Sequence, residues 1–169
     1  MNWALARWFF GLALAVTALD QGIKLWALET LTPRVSYPLL DPVLSLYLTF
    51  NDSAAFSIGW GATWVFTIIS SLAALALLWY GPRARTRGWA VLAGVLLGGV
   101  TGNLIDRLTR PPGFPSGQVV DYIQIPFNFP IFNLADVCIV SMTSLAAIAI
   151  LRGQKIGGEL ESPPDASDS

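Results

Sequence analysis

Two aspartates, Asp121 and Asp136, bracket the segment VVDYIQIPFNFPIFNLAD that runs from Val119 to Asp136. Two carboxylates held close together share a proton, because their mutual repulsion raises one pKa above the other. The ionised member can take a proton from water while the protonated member donates towards a carbonyl oxygen. That is the equipment for amide hydrolysis without a metal or a covalent nucleophile. Pro126 and Pro130 rule out one continuous helix between the two acids. The expected arrangement is a bend, with Asp121 on an extended or loop segment and Asp136 just inside a helix that begins near Ile131. An aspartate inside a strongly apolar helix is costly and marks a functional site by default. Such a pair titrates jointly, so which member starts charged is not legible from the sequence.

The elements that must position these acids belong to a membrane protein. The 169 residues are 54% hydrophobic and 12% charged, about half the ~25% charge of a soluble domain, and the mean hydropathy is +0.58. Histidine is absent, which excludes a Ser-His dyad, an HExxH zinc site and a His-assisted thiol. No metal or other cofactor is expected. A net charge of −1 gives no footprint for nucleic acid. The one cysteine, Cys138, permits no intramolecular disulfide and reads as a small packing residue.

Four apolar runs approach the ~20 residues that cross a bilayer: Trp8 to Leu28, Ala62 to Tyr80, Trp89 to Ile105 and Ile131 to Leu151. Tryptophans 8, 26, 64, 79 and 89 fall near the run ends, as an interfacial belt requires. Arg7, Arg83, Arg85, Arg87, Arg152 and Lys155 all lie on one side of a four-span arrangement. The basic residues therefore place both termini in the cytoplasm. The expected fold is a membrane all-α bundle of four helices with a small extracytoplasmic β-sheet and loop over the site. Its four-helix membrane domain is expected over residues 1–152, including an external segment at 29–61 and a loop at 106–130. A disordered cytoplasmic tail is expected over 153–169. A cleaved signal peptide at the first run is disfavoured by Asp20 and Lys24 within it and by the lack of a convincing cleavage site.

From Leu44 to Asn51 apolar residues alternate with Ser45, Tyr47, Thr49 and Asn51, the period of a half-buried strand. Pro33, Pro38 and Pro42 are expected to end strands and make turns. Gly94, Gly98 and Gly102 recur every fourth residue with Asp106 next, a stripe that lets helices approach closely and turns Asp106 away from lipid. Asp20 and Lys24, one turn apart, share a face and can pair. Asp106 is expected to tie loop to helix end with its neighbour Arg107. Asn51, Asp52, Asn103, Asp121, Asn133 and Asp136 collect at the same outer end, whereas an ion pathway needs polar groups at several depths.

Together these residues resemble the lipoprotein signal peptidase (signal peptidase II) family over essentially the whole membrane portion. The motifs are Asp20-Gln-Gly-Ile-Lys24, Asn51-Asp-Ser-Ala-Ala-Phe56, Gly102-Asn-Leu-Ile-Asp-Arg107, Val119-Val-Asp-Tyr122 and Phe132-Asn-Leu-Ala-Asp136. One departure is Ser53, where the family usually has glycine. The resemblance implies a membrane-embedded aspartyl endopeptidase of the bacterial cytoplasmic membrane. It would remove signal peptides from diacylglyceryl-modified prolipoproteins, cleaving before the lipid-modified cysteine. Asp121 and Asp136 match the catalytic pair. Asn51, Asn103, Arg107, Asn133, Asp20, Lys24, Asp106 and Ala135 match positions that bind substrate or support the site. The implied partners are the lipidated precursor and membrane lipid, the chain acts as a monomer, and globomycin is the expected inhibitor. Three other readings compete: a small transporter using the same carboxylates, a scaffold built on the glycine stripe, and a Ser-Lys protease using Ser53 and Lys24.

Overall fold

Four apolar segments form the helices that the hydropathy pattern requires, and the computed structural model describes them within residues 2–52 and 63–158. They are α1 (Trp3–Thr30), α2 (Thr63–Tyr80), α3 (Arg87–Thr109) and α4 (Leu134–Leu151). Each is long and apolar enough to cross a membrane, α2 together with the 3-10 turn Gly81–Arg83 that follows it. Their outward faces carry large exposed apolar side chains such as Leu14, Leu75 and Val140. Water would not tolerate that surface, but lipid does. Asn2 caps α1 by accepting from the Ala4 and Leu5 N–H groups, and Thr86 caps α3 through Trp89 N–H.

Helix α3 is the central element and packs against each of the other three. The glycine stripe explains its approach to α1. A Cβ on Gly94 would lie 2.6 Å from the Phe9 carbonyl oxygen, and one on Gly98 would lie 2.6 Å from Val16 Cβ. One on Gly102 would collide with the Asp20 carboxylate. Gly99 does the same for α4, where a Cβ would come 2.7 Å from the Ala135 carbonyl oxygen. The packing role read from the glycine spacing is therefore physically required here.

The two ends of the bundle differ in chemistry. One end holds an apolar core of Phe9, Ala13, Ala74, Leu97 and Val100. Leu5, Ala84, Trp89 and Ala149 pack together there, so the start of α1, the α2–α3 connection and the end of α4 meet. Residues 153–158 of the expected tail form turns on that connection, with Arg85 N–H donating to the Gly157 carbonyl at 2.8 Å. Ser53 and residues 159–169 lie outside the described residues.

The other end carries a three-stranded antiparallel sheet in the order β1 (Ser36–Leu40), β2 (Leu44–Asn51), β3 (Val119–Gln124). The alternation in β2 does predict a strand, but Phe50 is exposed while Leu48 is buried. The ladder is also irregular between Leu46 and Thr49: Leu46 pairs with Ile123 but Thr49 with Asp121, so β2 uses one residue more than β3. Pro38 does not end a strand as expected. It sits inside β1, an edge strand, at a register shift between Pro38 and Leu40, where a missing N–H is tolerated.

Candidate active site

Asp121 comes from β3, whose alternating residues divide its two faces. Val120 and Tyr122 join Ala27, Leu31 and Leu48 in the core beneath the sheet. Val119 and Asp121 line a cleft on the other face. Thr49 stands opposite Asp121 and Asn51 opposite Val119 in the ladder, so the three polar residues face the same way. The Asn51 amide donates to Asp121 Oδ2 at 2.9 Å.

Asp136 is delivered by a helix start. The sequence predicts α4 from near Ile131, but the helix begins at Leu134. Phe132 is instead bridged to Ile123 beside β3, with Phe132 N–H donating to the Ile123 carbonyl at 3.1 Å. Asn133 then forms a capping box. Its Oδ1 accepts from Asp136 N–H at 3.0 Å, and Asp136 Oδ2 accepts from Asn133 N–H at 3.1 Å. The Asn-x-x-Asp pattern is the local signal for that start. Between the tied ends, Pro126 and Pro130 make the expected bend, and Phe127 and Asn128 adopt positive φ of 69° and 54°.

Asn133 joins the two acids. Its amide donates to Asp121 Oδ1 at 2.6 Å while its other side-chain atom holds the Asp136 backbone. Both carboxylates therefore contact one asparagine and open onto one cleft of about 960 Å³, which Asn51, Asn103 and Arg107 also line. Burial, helped by the nearby charge of Asp136, raises the Asp121 pKa to about 7. Burial also pushes the Tyr122 phenol to about 12, so its hydroxyl stays neutral and accepts from Leu134 N–H at 3.2 Å.

Behind the cleft lies a second cluster, centred on Lys24. Its ammonium reaches Asp20 Oδ2 at 2.9 Å, Asp106 Oδ2 at 2.8 Å and Asn103 Oδ1 at 2.9 Å, with all three charged side chains fully buried. Asn103 then donates from Nδ2 to Asp136 Oδ1 at 2.7 Å. Asp20 Oδ1 accepts from Ala135 N–H at 3.1 Å, and Asp106 Oδ2 from Val120 N–H at 3.3 Å.

The expected Asp20–Lys24 pair forms, and the residues expected at the site fall in the cleft, in this cluster or, for Asn133, between the two acids. The Asp106–Arg107 pairing is corrected. Asp106 Oδ1 binds Arg110 Nε at 2.6 Å and Oδ2 binds Lys24, while Arg107 turns into the cleft and reaches the Asn103 carbonyl at 3.5 Å. Adjacent helical residues point about 100° apart, whereas i,i+4 residues share a face. Arg110 was therefore legible from spacing. Gln21, inside the Asp20-to-Lys24 motif, also joins the cluster, its Nε2 donating to Asp106 Oδ1 at 3.2 Å and to the Gly102 carbonyl at 3.0 Å, and no spacing signal pointed to those distant partners. The Lys24 Nζ is taken up by Asp20, Asp106 and Asn103 on the far side of the cleft lining, so it is not presented as the base of a Ser-Lys mechanism.

Four membrane-spanning helices with two acids in one cleft are the arrangement of a membrane-embedded hydrolase, and the comparisons with known proteins agree. The family described as Signal peptidase (SPase) II matches residues 12–152. The lipoprotein signal peptidase of Leifsonia xyli is 42% identical over 157 residues, covering 93% of this chain and 73% of that one. The lipoprotein signal peptidase of Mycobacterium avium is 36% identical over 147 residues, covering 87% and 80%. A solved bacterial membrane enzyme superposes with a TM-score of 0.75 at 28% identity, covering 90% of this chain and 92% of its own. This chain belongs to the signal peptidase II family, the aspartic-type membrane peptidases that process lipoprotein precursors.

Proposed function

We propose that Asp121 and Asp136 are the catalytic pair, cleaving a diacylglyceryl-modified prolipoprotein on the amino side of its lipidated cysteine. The observation that carries this reading is Asn133, hydrogen-bonded to the Asp121 side chain and to the Asp136 backbone at once. Asp121, raised to about 7, holds the shared proton near neutral pH and donates it towards the scissile carbonyl oxygen. Asp136 is the base that takes a proton from the attacking water. The resulting diol then breaks its C–N bond, and the amine of the new N-terminal cysteine leaves with a proton from the dyad. Arg107 and Asn51 line the cleft, where the first offers charge to the developing oxyanion or lipid ester and the second steadies Asp121.

The basic residues at the apolar end favour a cytoplasmic placement of both termini, with the site on the extracytoplasmic side of a bacterial inner membrane. A substrate anchored by its acyl chains and signal helix then reaches the cleft by diffusing in the membrane plane. The chain works as a monomer, in contact with lipid, and globomycin occupies the same cleft. The transporter reading is disfavoured by the apolar cluster of Phe9, Ala13, Ala74, Leu97 and Val100, which leaves no polar path through that part of the bundle among the described residues.

The test is cleavage of a lipidated precursor by the reconstituted protein. Asp121→Asn and Asp136→Asn each abolish processing while the variants stay folded, and chelators leave the wild type unaffected. Undiminished processing by either variant overturns the assignment.

A further inference from the structure

Neither carboxylate of the proposed pair touches Lys24, yet every arm that carries one leads back to it. The Lys24 ammonium can only donate, so the asparagine atom facing it at 2.9 Å must be Asn103 Oδ1. That contact forces Asn103 Nδ2 to the opposite side, where it donates to Asp136 Oδ1 at 2.7 Å. Without the ammonium, the Asn103 amide could turn over and present an oxygen to Asp136. The two acids that neutralise Lys24 act on the backbone in the same sense. Asp20 accepts from the N–H of Ala135, the residue before Asp136. Asp106 accepts from the N–H of Val120, the residue before Asp121. One cation on α1 is thus linked to β3 and to the first turn of α4 through one intervening carboxylate each.

We propose that Lys24 is a positioning residue for the reaction: it fixes the Asn103 amide and, through Asp20 and Asp106, sets β3 and α4 so that the two reactive carboxylates meet. The proposal rests on the assignment of Asp121 and Asp136 as the catalytic pair. Its physical basis is that a small misplacement of reacting groups is costly, about 10²-fold for roughly 1 Å. Arg110 pairs with the remaining oxygen of Asp106, so Asp20, Asp106, Lys24 and Arg110 form a neutral set. Removing Lys24 alone would strand a buried negative charge and endanger folding.

The experiment therefore uses the balanced variant Lys24→Met/Asp20→Asn, which leaves Asp106 paired with Arg110 and keeps an acceptor for Ala135 N–H. Cleavage of a lipidated precursor is measured in nanodiscs, per folded protein as judged from the amplitude of the tryptophan-fluorescence melt. Asn103→Ala is made in the wild type and in the balanced variant. The expected result is a kcat lowered by about 10²-fold with KM within about two-fold. Asn103→Ala should lower kcat in the wild type but change it by less than about two-fold in the balanced variant, because residues acting as one unit are not additive. A balanced variant with wild-type kcat overturns the proposal. So does an Asn103→Ala effect of equal size in both backgrounds, since Lys24 would then act only on stability. Asp121→Asn and Asp136→Asn, run alongside, separate the two claims: retained cleavage there overturns the catalytic assignment itself, whereas its loss together with an active balanced variant overturns only the role of Lys24.

Discussion

The protein buries two pairs of aspartates and surrounds them in opposite ways. Asp20 and Asp106 share the Lys24 ammonium, and Arg110 adds a second cation. Asp121 and Asp136 receive hydrogen bonds from the amides of Asn51, Asn103 and Asn133 and from backbone N–H. Amides orient a carboxylate without cancelling its charge, and the cleft leaves this second pair within reach of a substrate. Identical side chains thus become a clamp or, in the proposed mechanism, a reactive couple according to the donors around them. Each burial is costly on its own. The first is offset by ion pairing, the second is left partly uncompensated at the proposed catalytic site.

The largest expected effect breaks the reactive pair alone. Asp121→Asn or Asp136→Asn lowers the rate by at least about 10²–10⁴-fold, the contribution of positioned acid–base groups. Asp136→Asn melts near the wild-type temperature, because Asn at 136 can still accept the Asn133 N–H. Breaking the clamp reverses the pattern. Asp20→Ala or Asp106→Ala leaves one buried cation uncompensated and costs about 3–5 kcal/mol of stability, read as a lowered melting temperature in detergent, and the activity left per folded protein falls as well because the backbone before each reactive acid loses its acceptor. A clamp variant that melts normally would erase the distinction between the two pairs.

A third measurement sharpens the comparison through pH. The folded-state pKa of Asp121 lies above its ordinary value of 3.8, at about 7, so the folded protein holds this proton more tightly than the unfolded chain. Its contribution is neutral at low pH and becomes destabilising as pH rises between about 4 and 7. Asp121→Asn therefore raises the melting temperature at pH 8 and leaves it unchanged at pH 4. In the wild type, kcat/KM falls as pH rises through about 7, because Asp121 loses the proton it donates. An activity that climbs steadily past that pH would assign the acid role elsewhere. The smallest effect comes from Asn51→Ala. It removes one donor from the ionised form of Asp121, worth about 1 kcal/mol, and moves that alkaline limb upward by less than about one pH unit.

Much of this was legible in the linear chain. Hydropathy marked four spans, the glycine interval marked the tight face of α3, and the alternation from Leu44 marked β2. These are properties of a single element, set by its own period and by the solvent it must face. The candidate site was legible as residue types gathered at one end of the bundle, and the five motifs placed them in a family. The partnerships were not. Lys24 and Asn103 are 79 positions apart, and Asp20 and Ala135 are 115 apart, so helix spacing says nothing about whether they meet. Asp106 illustrates the gap: helix spacing points to Arg110 one turn on, but only packing turned Arg107 into the cleft and brought Lys24 to the other Asp106 oxygen. Sequence by itself determined which side chains this protein must keep out of lipid. Only the tertiary structure decided which aspartates are neutralised and which are left reactive, because hydrogen-bond donors act over about 3 Å and only packing brings distant donors that close.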